Sequence, residues 1–129
     1  MPTAVETVNA FLAECGQGKP AMRAAFRAYF TPATVWENVG LATTTGIDEA
    51  LALLDRFEGS LGLAFFKVDM LAIAAQGDRV LTERVDRLVN AEGVETLAMR
   101  LMGVFEVEAG RFRAWRDYAD ATAFAATDS

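Results

Sequence analysis

A chain of 129 residues, 53% hydrophobic and 23% charged, has room for one packed domain over residues 1–129 and is too apolar for a disordered polymer. Its net charge of −6 and scattered basic residues leave no cationic stripe to follow a phosphate backbone, so nucleic acid is not an expected partner. Histidine is absent and cysteine occurs once, which removes imidazole bases, Ser-His and Cys-His pairs, histidine metal ligands and any internal disulfide.

The opening Met-Pro-Thr-Ala-Val-Glu has neither the basic start nor the apolar run of a signal peptide, and no apolar stretch approaches the ~20 residues of a membrane span. A cytoplasmic location without membrane contact is the expectation. Thr3 and Glu6 make a capping box, after which Val5, Val8, Leu12 and Cys15 recur at helical spacing until Gly16 and Gly18. Cys15 reads as a small core hydrophobe. Pro20 suits a first helical turn, and Met22, Ala25, Phe26 and Tyr29 carry a second helix to Thr31-Pro32.

Residues 33–39 are β-prone, with Trp36 and Asn38 on one face of a short strand that Gly40 ends. A third helix is expected from about Ile47 to Phe57, with Ile47, Leu51, Leu54 and Phe57 inward, Thr45 as N-cap, and Gly59 and Gly62 after it. From Ala64 to Tyr118 long alternating runs break at Gly77-Asp78, 91–93 and Ala109-Gly110, which reads as a four-stranded antiparallel meander. A closing helical segment over about Ala121–Ala126, capped by Asp120, would lay Phe124 on the rest. Helices early and strands late predict an α+β fold with the N-terminal helices over one face of a curved mixed or antiparallel sheet; such a sheet can curl, and if it does so forming a cone, its concave face and the helices enclose an apolar pocket.

The run Val80–Leu88 alternates so that Thr82, Arg84, Asp86 and Leu88 share one face, and Leu81, Glu83, Val85 and Arg87 the other. Neither face is cleanly apolar, so alternation alone does not decide which looks inward. If Arg84 and Asp86 do, their desolvation is costly unless they are paired and hydrogen-bonded. The run Arg111–Tyr118 places Trp115 and Asp117 on one face, so a second carboxylate can join them. An arginine between two aspartates would hold one ionised while their repulsion keeps a proton on the other, giving one base and one acid. The competing reading is a set of surface ion pairs contributing little. Glu83 and Arg87 read as such a surface or interface pair, and Tyr118 as packing under a helix.

The segments Leu81-Thr82-Glu83-Arg84-Val85-Asp86, Gly103–Val107, Ala114-Trp115-Arg116-Asp117-Tyr118-Ala119-Asp120 and Trp36-Glu37-Asn38 together resemble the limonene-1,2-epoxide hydrolase family, in order and over nearly the whole chain. That family has a nuclear-transport-factor-like, SnoaL-like cone. The resemblance implies a cofactor-independent enzyme that adds water to a small hydrophobic epoxide in one step, giving a vicinal diol. By position it implies Asp117 as the base for water, Asp86 as the acid toward the epoxide oxygen, Arg84 as the bridge that orients both, and Asn38 as holder of the water. Trp36 stands where the family usually has tyrosine; an indole N–H donates a hydrogen bond but cannot accept one. Phe65, Leu88, Met99, Leu101 and Phe124 match pocket-lining positions, and Trp115 shares the face of Asp117.

No metal site and no cofactor motif is expected. Two other functions fit the same fold: isomerisation or cyclisation of a ketone, and non-catalytic binding of a lipid-like molecule. Apolar residues between Leu97 and Val107 predict a homodimer through the open sheet face.

Overall fold

In the computed structural model, residues 2–120 are described. The helix α1 (Ala4–Cys15) starts at the expected capping box: the Thr3 side chain accepts from the Glu6 amide and the Glu6 carboxylate accepts from the Thr3 amide. Its inward stripe is Val8, Phe11, Leu12 and Cys15, all buried. The helix α2 (Lys19–Tyr29) carries Pro20 in its first turn and buries Met22, Ala25 and Phe26.

The strand β1 (Phe30–Asn38) follows α2 without a loop. A strand not foreseen, β2 (Ala42–Thr45), returns antiparallel along it. The N-cap of the next helix, α3 (Ile47–Leu61), is Gly46, not Thr45. The backbone explains the choice: Gly46 has φ 85°, its amide donates to Thr34 O, and a Cβ there would meet Pro32 O at 2.9 Å. The helix runs through Gly59 and ends at Gly62, whose left-handed backbone satisfies the last-turn carbonyls.

Four long strands complete the described residues: β3 (Phe65–Gln76), β4 (Arg79–Val89), β5 (Glu95–Glu108) and β6 (Arg111–Ala119), turning where the sequence placed the turns. The sheet order is β2-β1-β6-β5-β4-β3, and among the described residues β1 and β6 alone run parallel. Register shifts leave extra residues on β1, β3, β5 and β6, and these add bends that help curve the sheet. At the β1 shift, Thr34 closes the gap by donating from Oγ1 to Phe112 O and accepting from the Thr31 amide.

The three helices pack on one face of this sheet. Phe11 occupies the centre of the layer between, in ring contact with Phe26, Tyr29, Phe30, Phe105, Phe112 and Trp115. Two side chains on the outer face, Tyr118 and Arg87, depart from expectation. Tyr118 is 48% exposed, because β6 parity turns it away from the helices. Arg87 pairs with Asp69 on β3 and Glu95 on β5 rather than with Glu83, since neighbouring strands bring those carboxylates alongside it. Leu71 bulges out of β3 and is exposed. Among the described residues, no helix is long and apolar enough to cross a membrane.

Candidate active site

The question that alternation left open is answered by packing: Thr82, Arg84, Asp86 and Leu88 of β4 face the helices and are buried. On β6, Trp115 and Asp117 do the same. β5 lies between those strands, yet the guanidinium of Arg84 spans it. Nε and Nη2 donate to Asp86 Oδ1 at 3.0 Å and Oδ2 at 2.8 Å. Nη1 and Nη2 donate to Asp117 Oδ1 at 3.1 Å and Oδ2 at 3.0 Å, and Nη1 donates also to Thr82 Oγ1 at 3.0 Å. All five N–H groups of the arginine are thereby used. Its π-face neighbour is Phe105, whose ring centroid lies 5.7 Å from the guanidinium carbon.

Arg84 is 0% exposed, whereas Asp86 is 6% and Asp117 8% exposed. The acids therefore reach a cavity that the arginine only backs. Parallel pairing of β1 with β6 sets Asn38 beside Asp117 and Trp36 beside Trp115, and these two indoles stack at 5.0 Å. The cavity wall consists of Trp36, Asn38, Asp86, Trp115 and Asp117 together with apolar side chains that include Leu54, Phe57, Leu88, Met99 and Leu101. Phe65 is a correction: its neighbour Phe66, paired with Leu88 and on the same face, lines the cavity, and Phe65 does not. Phe124 and the closing helix lie outside the described residues.

Burial pushes the Asp117 carboxyl above its ordinary value; Arg84 pulls it down, the Asp86 charge adds to the rise, and the hydrogen bonds from Arg84 and Trp115 pull down again. Burial alone would lower the Arg84 pKa, but Asp117 and Asp86 more than offset it, so the guanidinium stays charged. With both acids ionised the cluster carries one net negative charge out of water; one proton makes it neutral. Two buried donors, Trp36 Nε1 and Asn38 Nδ2, have no hydrogen-bond partner among the described residues. No cluster of three metal-ligating side chains occurs among the described residues.

A family model, the limonene-1,2-epoxide hydrolase catalytic domain, matches residues 2–127. The chain belongs to that family. The limonene-1,2-epoxide hydrolase fold is seen again in the structure of a Mycobacterium tuberculosis limonene-epoxide-hydrolase-like epoxide hydrolase, 32% identical, with a TM-score of 0.73 over 96% of this chain and 87% of that one. Epoxide hydrolase EphG of Mycobacterium tuberculosis is 42% identical over 86 residues, which are 67% of this chain and 54% of that protein, so the match spans about half the length of that relative. A SnoaL-like polyketide cyclase from Jannaschia shares the fold at 22% identity and a TM-score of 0.74, covering 98% and 91% of the two chains.

Sequence reasoning gave Gly103 no role beyond its place in a matching segment. It sits on β5 opposite both Thr82 and Asp117, where the arginine crosses. A lone glycine inside a strand pattern signals close approach of another group, and that signal was present.

Proposed function

We propose that the protein hydrolyses a hydrophobic epoxide to a vicinal diol, without a cofactor, in one push-pull step. The observation that supports it is the single arginine joining two buried carboxylates, both of which open on the same apolar cavity.

In this reading Asp117, made more basic by burial, takes a proton from water that Asn38 orients beside it. Trp36 can assist only by donating its N–H to the water oxygen. As the water oxygen bonds to one epoxide carbon, the C–O bond on that carbon breaks and Asp86 protonates the departing oxygen, which would otherwise leave as a strongly basic alkoxide. The single proton of the cluster has moved from Asp86 to Asp117, and exchange with solvent or diol returns it. Arg84 holds both carboxylates throughout. An enolate-forming isomerase needs neutral donors aimed at one oxygen, which an ion cluster does not supply.

The protein is expected to act as a homodimer in the cytoplasm, its outer sheet face, with Leu71, Leu81, Met102 and Tyr118 exposed, meeting a second copy. The test of the reaction is a single turnover of an epoxide panel in 18O-labelled water. One label in the first-turnover diol supports direct attack by water. Unlabelled first-turnover diol would mean attack by a carboxylate, and no diol from any epoxide would defeat the reading.

A further inference from the structure

The inner face of β5 presents Leu101, Gly103 and Phe105 in turn, so a missing side chain at 103 leaves a notch between two large ones. Gly103 pairs with Thr82 on β4 and with Asp117 on β6. Strands β4 and β6 are separated by two inter-strand spacings, about 9.5 Å. For Arg84 to leave β4 and reach Asp117, its guanidinium must cross above β5, and it crosses at that notch. A Cβ built on Gly103 would fall inside 3.0 Å of both Asp117 Oδ1 and Arg84 Nη1, and 3.3 Å from Thr82 Oγ1. Gly103 has an ordinary backbone φ, so it is the space and not the conformation that demands glycine. Thr82 completes the seat: its Oγ1 donates to Gly103 O at 3.0 Å and accepts from Arg84 Nη1 at 3.0 Å.

We propose that Gly103 and Thr82 are positioning residues, a notch and an anchor that set the reach of Arg84 from Asp86 to Asp117. The inference rests on the hydrolase reading for its kinetic consequence, but its electrostatic consequence stands without it. Filling the notch separates Arg84 from Asp117, and the charge that draws the Asp117 carboxyl down is weakened.

The experiment compares Gly103→Ala, Thr82→Val and Thr82→Ser with the wild-type protein, by epoxide turnover and by carboxyl-carbon NMR titration of Asp117. Gly103→Ala is expected to lower kcat about 100-fold and to leave KM within about threefold. Its Asp117 titration moves to higher pH. Thr82→Val lowers kcat about tenfold and moves the same titration upward by less, while Thr82→Ser restores both. An unmoved Asp117 titration in folded Gly103→Ala overturns the proposal, whatever happens to the rate. If Gly103→Ala does not fold, the threonine pair decides: Thr82→Val indistinguishable from wild type in both readouts overturns it. A wild-type protein inert on every epoxide defeats the hydrolase reading alone, because the titrations still judge the seat.

Discussion

Trp115 Nε1 donates a 2.8 Å hydrogen bond to Asp117 Oδ1 from two residues earlier on the same strand face. The indole thus braces the carboxylate from one side while Arg84 holds it from the other. A hydrogen bond donated to the charged form favours that form, so its loss raises the pKa. Trp115→Phe keeps a ring against Trp36 and Phe105 but removes the donor. The acid limb of its kcat/KM profile is expected at higher pH than in the wild-type protein. A limb that stays put, or moves down, would show that the bond does not tune Asp117.

Burial of Asp117 also bears on stability. Its folded-state pKa is raised above the unfolded value, so its favourable contribution is complete below the unfolded value and is lost as pH rises through the folded one. Asp117→Asn does not titrate. The stability of that variant relative to wild type is therefore expected to increase from acid to neutral pH, measured by urea unfolding. A relative stability that falls over this range would contradict the direction given for Asp117.

Phe11 is not part of the cavity wall, yet it packs against the ring of Trp115 at 5.4 Å and five other aromatic rings. Phe11→Ala should cost about 3–5 kcal/mol of unfolding free energy through lost burial and the cavity left behind. A loss below about 1 kcal/mol would mean that the helices collapse into the gap and that this ring is not the pivot of the layer.

Much of this arrangement was legible because strand periodicity is strict. Once the turns at Gly77 and Gly110 are placed, Arg84 and Asp86 must share a face, as must Trp115 and Asp117. Which face looks inward was not legible, since Glu83 and Arg87 are no more polar than Arg84 and Asp86; packing of the helices settled it. Local signals failed where tertiary contacts override them. The strand β2 is four residues of mostly threonine recognisable only beside β1. Thr45 is held in β2 opposite Val35, so the cap falls at Gly46, where Pro32 leaves no room for a side chain. Phe65 and Phe66 differ only in parity, and the boundary of β3 decides between them. The pairing of Asn38 with Asp117 arises from a parallel contact between distant segments that no local pattern encodes.

The proposed dimer is tested by light scattering after size exclusion. A mass about twice the 14.0 kDa of the chain is expected, falling toward 14.0 kDa in Met102→Glu, which places a charge in the exposed apolar face. A wild-type mass near that of one chain would contradict it.

The central claim is that two carboxylates divide one reaction between them, and separate replacement of each is the most direct trial. Asp86→Asn and Asp117→Asn keep the shape of the side chains and remove, respectively, the proton donor and the base. Each is expected to lower the rate of diol formation by about 100-fold or more, with binding of a diol product retained. Diol formation at near wild-type rate in either folded variant would contradict the account.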